Sequence, residues 1–317
     1  MSTILVTGAS GFVGGHVVPA LLGAGHRVVA LVRGESAGKT LLGRLPTADR
    51  ANVELRTGDV TRPATLGPVL AGVDAVVHLV AIPRDFNGGA EMRLVNTEGT
   101  RAVVDAMHGA GVRRLIHMGA LGVVDDPSLH YASSKAKAEA LVAESGLEWT
   151  ILKPSLQFGP GDGFFNLIAR LVRLSPGVVP VPGDGSSRFQ PIHAGDVARV
   201  VVASLADPTT VGETFELGGP RYWTYREITR EVLTALGKRR AILPMPVVLI
   251  RLVAGSAELV HLPFPVATDQ LRQLRLDNIG PLDLVTSRFG FEPRSMEGAL
   301  GYLRFKRRDQ LALADGA

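Results

Sequence analysis

Ile4-Leu5-Val6-Thr7-Gly8-Ala9-Ser10-Gly11-Phe12-Val13-Gly14 is the stretch from which the rest of the chain is best read. A β-favouring apolar run gives way to three glycines spaced G-x-x-G-x-x-G, and Phe12, Val13, Val17, Leu21 and Leu22 then recur at helical spacing. The pattern predicts a strand, a tight turn and a helix. In such a turn Gly8 makes the sharp bend, Gly11 lets the backbone approach a pyrophosphate and Gly14 lets the helix pack closely on the strand. The free N–H groups at the helix start attract the anion. A dinucleotide site is expected here, the plain alternative being a glycine turn with no ligand.

Outward from this stretch the alternation continues. Residues 27–32, 53–57, 75–80, 114–118 and 149–153 read as strands, and 63–70, 92–108 and 131–145 as helices. Pro19 falls inside the first helix, where it removes one rung of the hydrogen-bond ladder. Strands that are mostly continuous apolar runs, alternating with helices, argue for a parallel sheet covered on both faces: an α/β, doubly wound fold. Past Pro154 the rhythm breaks. Residues 159–163 read as a loop, 164–174 as a helix, 175–187 as a Pro/Gly-rich connection, and 189–192 with 196–205 as one more strand and helix returning to the main sheet. From about Gly218 no clean repeat is left. Segments 225–236, 241–266 and 268–276 read as a smaller C-terminal lobe, followed by a basic cap at 304–308 and a frayed tail. The expected division is 1–155 plus about 188–217 for the nucleotide domain, and about 156–187 plus 218–317 for a substrate lobe.

Composition narrows the classes. The hydrophobic fraction of 46% and charged fraction of 20% describe an ordinary globular protein. A net charge of +4 over 317 residues, with few aromatics among the basic residues, argues against nucleic acid as a partner. Cys is absent, which excludes a disulfide framework and thiolate metal sites and suits a cytoplasmic location. No signal peptide is expected from the first residues. The longest apolar stretch, 241–266, is interrupted by Pro244, Pro246, Arg251, Glu258 and Pro263, so a transmembrane helix is not expected, while peripheral membrane contact stays open.

An NAD-selective site of this type places an Asp or Glu at the end of the second strand to hold the ribose 2′-hydroxyl. Here Val32 stands there, with Arg33 after it. Losing the acid removes repulsion toward a 2′-phosphate, and Arg33 can meet that phosphate through two hydrogen bonds, so NADP(H) is favoured. NAD(H) is the alternative, with Arg33 stacked on adenine or turned to solvent. Asp59 and Val60 follow the third strand, where an adenine edge could be met; a plain Asp turn reads equally well.

Tyr131-Ala-Ser-Ser-Lys135 sets a phenol and an ammonium four residues apart, on one face of a helix. A nearby Lys⁺ and an oxidised nicotinamide would both favour phenolate, which lowers the tyrosine pKa toward a range useful for proton exchange with a substrate hydroxyl or carbonyl. The alternative is an ordinary helical surface pair. His193 and Asp196 lack a third ligand and read as a helix cap and a satisfied histidine, so no metal site is assigned.

Thr7-Gly-Ala-Ser-Gly-Phe-Val-Gly14, Tyr131-x-x-x-Lys135, Asn96 in Val-Asn-Thr-Glu-Gly-Thr100, and Lys153-Pro-Ser155 ahead of Gly159-Pro-Gly-Asp162 together resemble the extended and atypical short-chain dehydrogenase/reductase superfamily. Gln190-Pro-Ile-His-Ala-Gly-Asp-Val197 also fits it. Leu243-Pro-Met-Pro246 and residues 267–278 look like the branch containing the nucleotide-binding accessory subunit of respiratory complex I and its bacterial relatives.

That resemblance implies a Rossmann domain with Thr7, Gly8, Ser10, Gly11, Phe12, Val13 and Gly14 around the pyrophosphate, Arg33 on the adenosine side, and Asp59 and Val60 at the adenine. It sets Leu79 and Ala81 beside the ribose and Pro154 and Ser155 at the nicotinamide. Tyr131 is the implied general acid/base, and Lys135 binds the nicotinamide ribose and tunes Tyr131. The family's catalytic Ser or Thr belongs where this chain has His117-Met118-Gly119-Ala120, and Gly119 has no side-chain donor. Losing one such donor costs about 3 kcal/mol of transition-state stabilisation. The leading reading is an NAD(P)(H)-dependent oxidoreductase acting on a small molecule, hydrophobic or quinone-like. The alternatives are a nucleotide-binding structural or redox-sensing protein with little turnover, and a nucleotide-sugar epimerase or dehydratase.

Overall fold

Thirteen strands and ten α-helical segments occur among the described residues of the computed structural model, which are all but 86, 247, 249–276 and 311–317. The lobe segment 268–276, most of the apolar stretch 241–266 and the tail from 311 lie outside them. The strands are β1 (Thr3–Thr7), β2 (Arg27–Val32), β3 (Val53–Thr57), β4 (Ala75–His78), β5 (Arg114–Met118), β6 (Glu148–Pro154), β7 (Gln157–Phe158), β8 (Val178–Pro182), β9 (Arg188–Phe189), β10 (Ile192–His193), β11 (Glu213–Leu217), β12 (Trp223–Thr224) and β13 (Ala241–Met245). The helices are α1 (Gly14–Gly23), α2 (Glu35–Leu42), α3 (Ala90–Met92), α4 (Gly99–Ala110), α5 (His130–Ala143), α6 (Phe164–Leu174), α7 (Ala194–Ala206), α8 (Tyr225–Ala235), α9 (Leu284–Phe289) and α10 (Arg307–Gln310). A π-helical run, Arg93–Glu98, joins α3 to α4. No helix among the described residues is long and apolar enough to cross a membrane.

Seven strands form one parallel sheet in the order β11-β6-β5-β4-β1-β2-β3. Alternate residues along β1 serve opposite faces, as a two-residue period requires. Ile4 and Val6 pack with Val17, Val18 and Leu21 of α1 and Val197 and Val201 of α7. Leu5 joins Val103, Val104 and Met107 of α4 and Val142 of α5. Each such side chain, buried, contributes about 1.5–3 kcal/mol, which is why the continuous apolar runs became strands covered on both sides. A third apolar cluster joins Phe158, Phe165 and Ile168 to Trp223, Ile228 and Leu300.

Three local expectations need correction. The seventh strand of the sheet is β11, not residues 189–192. That segment splits into β9, antiparallel to β12, and β10, parallel to β7, on either side of Pro191, which has no N–H to give a ladder. Residues 175–187 are more than a connection, because β8 pairs in parallel with β13. Its prolines at 180 and 182 disguise a strand in a two-stranded ribbon, where missing donors are tolerated. Residues 63–70 form two 3₁₀ turns, Pro63–Thr65 and Pro68–Leu70, since Pro68 interrupts the ladder of a single helix.

Sheet order places the switch between β1 and β4, whose following loops part in opposite directions. The crevice at that carboxyl edge is where open α/β sheets take ligands.

Candidate functional site

At the switch the chain turns sharply after β1, with Gly8 at φ +72°. A Cβ on Gly14 would collide with the carbonyl oxygens of Gly8 and Ala9, so only glycine lets α1 start this close to the turn. A Cβ on Gly11 would meet only Gly8 O, at 3.0 Å; its other side is open to the crevice. The loop therefore forms a cradle that side chains leave clear, at a helix start rich in unsatisfied N–H groups. It fits a pyrophosphate.

The crevice is a cleft of about 530 Å³, within the usual range for ligand sites. Of the sequence-predicted residues it brings together Gly8, Ser10, Gly11, Phe12, Val13, Gly14, Arg33, Asp59, Val60, Leu79, Ala81, Tyr131 and Lys135. Asp59 Oδ1 accepts from the Thr61 N–H (2.9 Å) and hydroxyl (2.8 Å). Burial opposes ionisation of Asp59, but these bonds and the charges of Arg33 and Arg62 outweigh it and hold the carboxyl below its ordinary value.

Thr7, Pro154 and Ser155 do not line the cleft. Thr7 is fully buried, its hydroxyl 2.7 Å from His78 Nδ1. Pro154 is buried at the end of β6, where its carbonyl accepts from Leu121. Ser155 Oγ donates to Asn278 Oδ1 (2.5 Å) and accepts from the Gln190 N–H (3.1 Å), so it ties residue 278 to the sheet rather than facing a ligand. Gln157, Gly163, Pro83 and Arg307 line the cleft without having been anticipated. Arg307 lies in the run read as a basic cap, and no local motif marks it.

Asn96 sits at the centre of a buried polar chain. Its side chain bonds both backbone groups of Ile82 (2.8 and 3.0 Å) and donates to Ser134 Oγ (3.0 Å), which in turn donates to the carbonyl of Tyr131 (2.8 Å). Thr100 donates to Asn96 O (2.6 Å) and lies 3.0 Å from His78 Nε2, which leads back to Thr7. Burial and then the charge of Lys135 push His78 down to about 3, so the ring serves as a neutral link. The irregular π turn around Asn96 thus joins the glycine loop to α5.

On α5, Tyr131, Lys135 and Glu139 follow one another at four-residue steps. Lys135 Nζ donates to Met118 O (2.5 Å), and burial pulls its ammonium down to about 8 against the opposing charge of Glu139. Burial of Tyr131, with the charge of Glu139 added, pushes its phenol up to about 12, against the lowering expected from Lys135 and an oxidised nicotinamide together. His117 is fully buried and cannot reach a ligand in place of the missing hydroxyl. His193 is the N-cap of α7, its ring accepting from Gly195 N–H (3.0 Å).

Comparison with known proteins agrees with this geometry. Residues 8–208 match the family model described as NAD(P)H-binding. The chain is similar to ceramide reductase of Caulobacter vibrioides, with 32% identity over 77% of this chain and 73% of that one. It is also similar to the mitochondrial NADH dehydrogenase [ubiquinone] 1 alpha subcomplex subunit 9 of Arabidopsis thaliana, with 28% identity over 87% and 68%. Among solved structures it superposes on the dTDP-glucose 4,6-dehydratase DesIV of Streptomyces venezuelae, with NAD and TYD bound, at TM-score 0.72 and 24% identity, covering 97% of each chain. The glycine cradle at the β1/β4 switch and these likenesses together make the chain a member of the NAD(P)H-binding Rossmann family of extended short-chain dehydrogenase/reductase type.

Proposed function

We propose that this chain is an NAD(P)(H)-dependent oxidoreductase that prefers NADP(H), with Tyr131 as the general acid/base and a carbonyl or hydroxyl compound as substrate. The observation that supports it is a single cleft running from the glycine cradle to Tyr131 and Lys135. A bound nicotinamide supplies or accepts the hydride. Gly8, Gly11 and Gly14 hold the pyrophosphate, Arg33 takes a 2′-phosphate, and Asp59 and Val60 border the adenine. Lys135, anchored on Met118 O, offers its remaining N–H groups to the ribose. Before cofactor binds, a phenol raised to about 12 is protonated at neutral pH, the state that donates a proton to a carbonyl as hydride arrives. Leu79, Val80, Pro83 and Met118 give the cleft an apolar side that suits a hydrophobic substrate, and Gln157, Gly163 and Arg307 also line it.

A second reading, nucleotide binding with little turnover, is favoured by Gly119, which gives the substrate oxygen no hydroxyl donor. The likeness to a complex I subunit supports the same reading and a peripheral membrane association. Steady-state NADPH oxidation with a carbonyl and quinone panel separates the two. Tyr131→Phe is expected to abolish turnover and leave nucleotide affinity within about threefold, since only one hydroxyl is lost. An active parent indifferent to this substitution overturns the mechanism, and an inactive parent that binds cofactor tightly establishes the second reading.

A further inference from the structure

Residues 302–310 return from the third apolar cluster to the loop 159–163 and are pinned there. Tyr302 accepts from the Gly159 N–H (3.2 Å) and donates to Asp162 Oδ2 (2.6 Å), while fully buried Asp162 caps α6 through Phe165 N–H (2.7 Å). Gln310 is also fully buried. Its amide accepts from Gly161 N–H and Asn166 Nδ2 (3.0 Å each) and donates to Asn166 Oδ1 (2.8 Å).

Arg307 lies between these anchors. Its Nε donates to Gly161 O (2.9 Å), which fixes the plane of the guanidinium, and the rest of the exposed fork borders the same cleft as Gly11 and Phe12. From the other side of the glycine loop, Arg44 Nη1 donates to the carbonyls of Ser10 and Gly11 (3.0 Å each). The two cations are close enough that Arg307, after burial, helps to depress the pKa of Arg44. Among the described residues neither is ion-paired to a carboxylate. Arg307, held by a backbone carbonyl and lining the cleft beside a cradle of helix-start N–H groups, suits an anion there.

We propose that Arg307 is a ligand of the dinucleotide pyrophosphate, contributed by a segment far along the chain from the glycine loop. The proposal rests on the nucleotide reading of this cleft. A planar fork with four N–H groups left can grip two phosphate oxygens at once, which a lysine cannot. The pyrophosphate, rather than a 2′-phosphate, is the partner because the loop that holds Arg307 packs on α1, a Cβ on Gly159 standing 3.5 Å from His16 Nε2, whereas Arg33 follows β2 at the adenosine end. Binding then ties residues 302–310 to the first helix through the ligand.

The test is calorimetric titration of the full chain and of Arg307→Ala and Arg307→Lys with NADPH, NADH and adenosine, alongside melting of each unliganded protein. Loss of a charged hydrogen-bonding partner is expected to weaken NADPH and NADH equally, by roughly tenfold to a hundredfold, with Lys recovering part of the loss. Adenosine affinity is expected to stay unchanged. Undiminished dinucleotide affinity in a folded Ala variant overturns the proposal, and so does a loss confined to NADPH, which would move Arg307 to the 2′-phosphate. A parent that binds neither dinucleotide overturns the nucleotide reading itself, an outcome distinct from either. Should Arg307→Ala not fold, Arg307→Lys carries the test, because equal affinity of Lys and Arg for both dinucleotides overturns two-oxygen recognition.

Discussion

Glu139 occupies the space a side chain on Gly119 would need. A Cβ at position 119 would collide with Glu139 Oε1 and stand 3.0 Å from its Cδ and 3.1 Å from Lys153 Cγ. The same carboxylate accepts from the Ala120 N–H (3.1 Å) and pairs with Lys153 (3.4 Å), the two side chains being only 13% and 17% exposed. Its pKa is raised, burial outweighing the Lys153 charge. Gly119→Ser therefore sets its Cβ against Glu139, which must give way before the hydroxyl can serve the cleft. It is expected to destabilise the fold by about 1–3 kcal/mol through overpacking and to leave turnover unimproved. Thermal melts and steady-state rates check both; a tenfold gain in rate would show that Glu139 yields its place.

In the proposed function, cofactor preference turns on Arg33. With Val32 buried at the end of β2 and Arg33 exposed on the cleft, NADPH is expected to bind more tightly than NADH by about tenfold, and Arg33→Ala to erase most of the difference. Nicotinamide fluorescence titration reads this directly. Tighter NADH binding that survives the substitution would reverse the assignment.

Gly11→Val puts a branched side chain where only the crevice is open. Because a Cβ here would meet nothing among the described residues within 4 Å except Gly8 O, the fold is expected to persist, with melting within a few degrees of the parent. Dinucleotide binding is expected to fall at least a hundredfold as the phosphate approach is blocked. Unchanged affinity by calorimetry would place the phosphates elsewhere.

Acid should unfold this protein early, for a reason that lies in its histidines. His117 is fully buried, neither ring nitrogen has a hydrogen-bond partner among the described residues, and burial holds its pKa well below 6.5; His78, stacked on it at 5.5 Å, is held at about 3. Below pH 6.5 the unfolded chain takes up protons that the folded chain refuses. Stability therefore falls as pH drops, by up to about 1.4 kcal/mol per unit for each such histidine, until the folded pKa is reached. His117→Leu removes one of these groups and two unpaired polar atoms. Its denaturation midpoint at pH 7 is expected to match or exceed the parent's, with a shallower decline toward pH 5. An unchanged pH slope in urea titrations refutes the account.

What the chain disclosed in advance follows from how far each signal reaches along it. Residues 27–32 and 114–118 announced themselves as strands because burial on both faces demands an unbroken apolar run. Glu213–Leu217 did not: at the sheet edge its first two residues are exposed, so the run is broken by Glu and Thr. The glycine cradle was legible because turn, cradle and helix start all fall within eleven residues. Arg307 and Asn278 were not, since they meet the cleft and β6 only through tertiary folding. Ser155 misled for a related reason: proximity in sequence to the nicotinamide end does not fix which way Oγ points, and Asn278 claims it. Spacing sets Tyr131 and Lys135 on one helix face, but it does not reveal the Glu139 carboxylate one turn further on, whose charge adds to burial in raising the phenol pKa.

The chain of contacts from Thr7 through His78, Thr100 and Asn96 to Ser134 and the Tyr131 carbonyl welds the glycine loop and the helix that carries Tyr131 and Lys135 into one solid floor. The cleft lining at Gln157 and Gly163 rests instead on loop and short-strand contacts. The two parts are thus unequal as raw material for change. A descendant of this protein can acquire a new substrate by altering that lining while inheriting the floor intact, and a designer seeking altered selectivity has the same choice.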